Sequence, residues 1–141
     1  MAPLLRALLV CTLGMPLAAV WASEAAVFPL VITALTAGVP ARVGARRIAG
    51  FAASHLVSSA AAFIVGALMT SLPAAQISHQ PLLWLPGCIV LLGIQATMLR
   101  HPPALASGGA VLLGLPLPAV VACTVLTAIL LGLESRLARA G

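Results

Sequence analysis

The sequence predicts an all-α, polytopic bundle of transmembrane helices, and three observations carry that prediction. Hydrophobic residues make up 62% of the 141 residues and charged residues only 6%, where a soluble domain carries roughly 25% charged. Apolar runs follow one another with little between them, so mean hydropathy reaches +1.21. All seven basic residues are arginines, set singly or in one small cluster between those runs. So few charges could not coat a water-facing surface. Lipid removes that requirement, because the exterior of a bundle in a bilayer is itself apolar. The implied partner is a lipid bilayer. The implied location is the cell membrane, inner or plasma, crossed more than once.

Hydropathy divides the chain into six segments: 3–22, 25–39, 48–72, 81–99, 103–115 and 117–133. Four approach the roughly 20 residues of a full membrane helix, and two, 25–39 and 103–115, are short. The expected architecture is therefore four full helices plus two short segments that are partial or re-entrant, in a single transmembrane domain over 1–141. Ser23 and Glu24 separate the first two segments, and 40–47 carries Arg42, Arg46 and Arg47. Arg100-His101-Pro102 separates the fourth from the fifth. Pro116 and Pro118 bracket the turn into the sixth, and Glu134, Arg136 and Arg139 form a tail.

If every segment crosses and the N-terminus is cytoplasmic, Arg6, the 42–47 cluster, Arg100, Arg136 and Arg139 all face the cytoplasm, and the other loops carry no Arg. That arrangement obeys the positive-inside rule throughout. Re-entrant short segments would move the cluster and Arg100 outside. The N-terminus also has a secretory-signal pattern, with Arg6, an apolar run and Val20-Trp21-Ala22 before Ser23. Cleavage of 1–22 is the alternative reading. Against it, Gly14-Met15-Pro16 interrupts the run.

Segments one to three read long, short, long, and segments four to six read the same. Three crossings per half would invert the halves relative to each other, the arrangement that places a transporter's central site at short Gly/Pro-interrupted segments. Chance recurrence in a chain rich in Pro, Ala and Leu explains the pattern equally well.

Composition excludes several classes. The net charge of +5 does not imply nucleic acid, since that needs a continuous basic face. Glu24 and Glu134 are the only acids, far apart and at segment ends, so no acid pair of the hydrolase kind exists. No nucleophile motif, phosphate-binding loop or dinucleotide fingerprint appears. Neither an enzyme nor a cofactor is expected. Cys11, Cys88 and Cys123 lack metal or redox spacing and read as buried small hydrophobes. His55, His79 and His101 are not spaced as metal ligands, and no metal is expected.

Three stretches could carry function. Gly50, Ser54, Ser58, Ala62, Gly66 and Thr70 recur every fourth residue on one helix face, where small residues allow close backbone approach in lipid. His55 lies inside the same helix, and ionisable groups at membrane depth face the interior or a cavity. Its plainest partner is Ser59, one turn on, or a group on a neighbouring helix. Arg100-His101-Pro102-Pro103 ends the fourth segment, because successive prolines cannot sit inside a helix. Pro103 can open the next helix, whose first N–H groups and positive dipole end would then face an anion. Ser107, Gly108 and Gly109 follow, where backbone can come close to a ligand. The ensemble suits a small inorganic anion bound by Arg100, His101, Pro102, Pro103, Ser107, Gly108 and Gly109, with His55 and Ser58 lining the path. A topology-setting Arg beside an interfacial His explains Arg100 and His101 without a site.

At these residues the chain resembles the HPP family of bacterial and plastid integral membrane proteins. The motif stands here as Leu99-Arg100-His101-Pro102-Pro103-Ala104, leading to Ser107-Gly108-Gly109-Ala110. A second family feature, a Gly/His-containing helix start after a Pro- and Arg-bearing loop, corresponds to Pro40-Ala41-Arg42 before Gly50 and His55. The resemblance covers about 26–133. Ser54 stands where the family commonly has Gly before His. Phe28-Pro29-Leu30-Val31-Ile32-Thr33-Ala34 keeps Pro29 and Thr33-Ala34 but lacks the family's Gly. The resemblance implies four helices and, from plastid members, nitrite-like anion transport. A homo-oligomer fits, because so small a bundle encloses little space. The alternative is a non-transporting membrane subunit that packs against a partner protein through the small-residue stripe.

Overall fold

The computed structural model describes residues 3–37, 44–70, 89, 93 and 101–140. Helix α1 spans Pro3–Ala19, a 3-10 turn covers Glu24–Val27, and α2 follows directly over Phe28–Thr36. The remaining helices are α3, Ala45–Thr70, α4, Pro102–Leu112, and α5, Leu117–Ala140. No strand occurs among the described residues.

Five of the six expected segments thus appear as helices, with two boundary corrections. Helix α3 begins before residue 48, so Arg46 and Arg47 stand in its first turn rather than in a loop. Helix α5 continues past residue 133, so Glu134, Arg136 and Arg139 are helical rather than a tail. Both extensions follow the absence of any helix breaker in those stretches. Helix α1 also runs through Gly14-Met15-Pro16. Pro16 lies so near the C-terminal end that losing its N–H costs one bond rather than the helix. The chain then turns sharply, with Ala22 at φ 49°.

Among the described residues only α3 and α5, of 26 and 24 residues, are long and apolar enough to cross a membrane, against the four full helices expected of the whole chain. Helix α1 has 17 residues, a reach of about 25 Å at 1.5 Å per residue, short of the roughly 30 Å hydrocarbon layer. The fourth expected helix, 81–99, lies outside the described residues but for Ile89 and Gly93, as do Arg42, His79 and Arg100.

Side-chain contacts fix the helix directions. At one end Arg6 of α1 reaches Glu134 of α5 and the Ala34 carbonyl of α2. The start of α3 joins them, with Ile48 packed against Ala37 and Leu131. At the other end Ala26, Ala62, Val111, Leu112, Ala119 and Val120 form one cluster. Helices α1 and α3 therefore run one way and α2 and α5 the other. Helix α4 runs parallel to α3: Ser107 meets His55, Gly108 meets Ser58, and Leu112 meets Gly66. Both short helices progress from one end toward the other without doubling back. The order short-then-long also reverses direction between α2–α3 and α4–α5.

Polar side chains share the interior with small apolar ones, while many large apolar side chains stand outside. Arg6, Thr33, Ser54, His55, Ser58, Ser59, Ser107, Thr124, Thr127 and Glu134 are buried. Leu4, Leu8, Phe63, Ile64, Leu68 and Leu137 are each more than half exposed, from 54% for Phe63 to 77% for Leu4. Much of the buried apolar core is alanine, at 7, 18, 26, 34, 37, 62, 104 and 119. Small residues bring the backbones together, and in the small-residue stripe Ser54, Ser58 and Ala62 are buried while Gly50 is exposed.

The α4–α5 connection depends on Gly114, whose φ of +103° is a conformation that L side chains rarely adopt. Gly114→Ala is expected to lower stability by about 1 kcal/mol, read as a lower unfolding temperature in detergent with helix content unchanged.

Candidate functional site

A buried polar cluster lies where α2, α3 and α4 meet. Its first member comes from α2. Thr33 bonds back along its own helix to the Pro29 carbonyl at 3.1 Å, which turns its hydroxyl inward. The second is His55, in the third turn of α3 and 1% exposed. His101 is the third, and Pro102 determines its placement. A residue before proline is held out of the helical region, so His101 adopts an extended φ of −125° and ψ of 90° and caps α4 from outside. Its ring stacks on Phe51, centroids 4.8 Å apart, and stands edge-on to His55 at 5.3 Å. The Arg47 guanidinium carbon lies 5.6 Å from the centre of the Phe51 ring.

Thr33 Oγ1 lies 2.8 Å from His55 Nε2 and 3.2 Å from His101 Nε2. The other nitrogen of His55, Nδ1, is 2.7 Å from Ser107 Oγ of α4. Four side chains from three helices thus form one hydrogen-bonded chain: His101, Thr33, His55, Ser107. Beside it is a cavity of about 10 Å³ lined by Thr33, Phe51, His55, Thr124 and Thr127 among others. That is the space of roughly one water molecule. Thr124 and Thr127 donate to carbonyls of their own helix, Val120 and Cys123, at 2.7 and 2.9 Å.

One turn further along α3, the hydroxyls of Ser58 and Ser59 are fully buried and have no hydrogen-bond partner among the described residues. Ser58 faces Gly108. A Cβ at Gly108 would run into the Ser58 hydroxyl and lie 2.9 Å from the Ser58 carbonyl oxygen. Glycine is therefore required for α3 and α4 to approach this closely.

Of the residues singled out from sequence, His55, His101 and Ser107 join in the chain, and Ser58 and Gly108 meet on the adjoining seam. Gly109 does not belong there, since a Cβ on it would meet nothing within 4 Å. Arg100 lies outside the described residues. Of the two partners expected for His55, neighbouring helices supply both bonds: it meets Thr33 and Ser107 rather than Ser59, because its ring points across to α2 and α4 rather than along its own helix. One expectation needs correction: the start of α4 does not offer a row of free N–H groups to an anion. Helix α4 begins at Pro102, not Pro103. Both prolines lack an N–H, and the Ala104 N–H is taken by the His101 carbonyl at 3.0 Å.

Sequence reasoning missed two features. One is the role of Thr33, whose local signal is a hydroxyl one turn after Pro29 in an apolar run that also holds Thr36. The other is a buried ion pair. Arg6 Nε donates to Glu134 Oε2 at 2.6 Å, and Arg6 Nη1 to the Ala34 carbonyl at 2.9 Å. Arg6 and Glu134 are 2% and 6% exposed. Two charges at opposite ends of the chain give no local sign of their pairing.

Fold and site define a small all-α protein with two helices long and apolar enough to cross a membrane and a histidine–hydroxyl cluster between its helices. No protein-family model matches the chain, and no curated protein or solved structure matches it.

Proposed function

We propose that the chain is a multi-pass protein of the inner or plasma membrane that moves a small inorganic anion, nitrite-like in size and charge, along the seam between α3 and α4. The observation that carries this reading is the pair of buried, unpartnered hydroxyls of Ser58 and Ser59 just beyond the His55–Ser107 bond. Buried polar groups without partners call for a ligand or water. Ionisable groups at membrane depth mark substrate or ion pathways. The apolar exterior and polar interior support the membrane setting. Arg6, Arg46, Arg47, Arg136 and Arg139 share one end of the bundle, which supports a cytoplasmic location for that end. Helix α1, held by Arg6, belongs to the mature protein in this reading. The resemblance to the HPP family remains part of the proposal, resting on His101-Pro102-Pro103 and the run to Gly109.

The cavity beside His55 is only water-sized, so an anion enters only as α3 and α4 part. The chain as described is the closed form of such a carrier. Anion contacts then fall to the His101 side chain and the Ser58, Ser59 and Ser107 hydroxyls rather than to the backbone at the start of α4.

The test is nitrite and nitrate flux into liposomes holding the purified protein. The Ser58→Ala/Ser59→Ala double variant should lose about thirtyfold in flux, since each hydroxyl donor contributes roughly 1 kcal/mol and each step of about 1.36 kcal/mol is tenfold, while remaining folded and inserted. His101→Ala should reduce flux as well. Full flux in both variants would remove this pathway. No flux from folded wild-type protein, for several small anions, would favour a non-transporting subunit instead.

A further inference from the structure

We infer that His101, Thr33, His55 and Ser107 form a proton relay that loads the buried imidazole of His55 from the arginine-rich end of the bundle. The inference deepens the transport reading and rests on it for its purpose: the anion would move together with a proton. No membrane-depth carboxylate takes part, so the relay uses imidazoles and hydroxyls alone.

The geometry carries the argument. A hydroxyl has one hydrogen and two lone pairs. Thr33 Oγ1 can therefore accept from one imidazole Nε2–H while donating to the bare Nε2 of the other, at 2.8 and 3.2 Å. In that state the two histidines hold opposite tautomers. A proton arriving on Nδ1 of half-buried His101 releases the one on its Nε2 to Thr33 Oγ1. Thr33 passes its own hydrogen to His55 Nε2. His55 then carries hydrogen on both nitrogens and holds the added proton, its Nδ1–H donated to Ser107 Oγ 2.7 Å away. One proton enters at His101 and one is stored on His55, and no bond other than O–H and N–H forms or breaks.

A static arrangement satisfies the same distances. If the Thr33 hydrogen stays on the Pro29 carbonyl at 3.1 Å, both imidazoles simply donate to Thr33 and no proton passes. Two features favour the relay. His55 is 1% exposed, so its exchange with water needs a route through other groups. The adjoining cavity holds about one water molecule, which leaves no aqueous channel for an ion in the closed form but does not hinder transfer along hydrogen bonds. The groups facing the two rings are Thr33 from α2, Phe51 from α3, Ser107 from α4, and Thr124 and Thr127 from α5. The charged groups described on those elements are Arg46 and Arg47 of α3, the latter on the far side of Phe51, and Glu134, Arg136 and Arg139 of α5, with Glu134 paired to Arg6 of α1, all at the arginine-rich end.

The experiment measures exchange of the His55 ring N–H with water, by NMR of the full-length protein labelled with nitrogen-15 at histidine, in detergent micelles. Wild type and Thr33→Ser, which keeps the hydroxyl, should exchange rapidly. Thr33→Val, which has the same shape without the hydroxyl, should slow exchange at least tenfold with its fold retained. Equal rates in Thr33→Val and wild type would overturn the relay. So would slow exchange in wild type. If Thr33→Val does not fold, His101→Phe carries the same comparison. Nitrite flux measured on the same preparations reads the transport proposal separately: rapid, Thr33-dependent exchange without flux keeps the relay and removes the anion, and flux with slow exchange does the reverse.

Discussion

Glu134→Leu should lower the stability of the folded protein by about 3 kcal/mol or more, the usual cost of breaking a buried pair by removing one partner. The change leaves the Arg6 guanidinium, 2% exposed, without its carboxylate and with the Ala34 carbonyl as its partner on α2. Arg6 stands only one turn into α1, so its long stem can carry the charge out to water at that end of the helix. That escape keeps the loss near the lower end of the range, and it would open the contact between α1, α2 and α5. The double variant Arg6→Met/Glu134→Leu should regain most of the loss, because two apolar side chains of similar volume are often neutral or better than a buried ion pair. Thermal unfolding in detergent reads all three proteins. A double variant no more stable than Glu134→Leu would mean that the pair contributes more than its own burial costs.

The second large effect is expected at Gly108. Gly108→Ala sets a methyl group 2.9 Å from the Ser58 carbonyl oxygen, closer than real Cβ contacts allow, so α4 must slide or lift off α3. Overpacking of this kind costs about 1–3 kcal/mol. The displacement should also stretch the His55–Ser107 bond, because Ser107 is the preceding residue. Ser58→Gly should not rescue the variant, since the obstructing atom belongs to the backbone. Rescue would show that only the Ser58 hydroxyl stands in the way. Alone, Ser58→Ala should leave stability unchanged or slightly raised, because it removes a buried hydroxyl with no partner among the described residues.

The helices were legible in the sequence because they are written in long apolar runs and in proline. Pro102-Pro103 marked the start of α4 to within one residue, and Pro29 and Phe28 opened α2. Charged residues misled at the boundaries. Arg46, Arg47 and Glu134 read as loop or tail, yet a helix end tolerates charges whose stems reach the interface. Within the site, His55, His101 and Ser107 stood out as rare polar groups in apolar surroundings, and they converge. Which atoms pair could not be read, because that depends on α4 running parallel to α3, a matter of three-dimensional path. The anion cradle expected at the start of α4 failed on chemistry already present in the sequence: two prolines supply no N–H. Thr33 was passed over because one hydroxyl in an apolar run ordinarily bonds its own helix, and here it does that as well.

The Arg6–Glu134 pair joins residues separated by 128 positions, which orders events during synthesis. At 5–20 residues per second, roughly 6–26 s pass between the appearance of the arginine and that of its carboxylate. Throughout that interval Arg6 lacks its carboxylate, so its charge must stay in contact with water. Closing the clasp is therefore a late step of assembly, and a chain that ends before residue 134 would hold its first helix by α2 and the Ala34 carbonyl without the carboxylate.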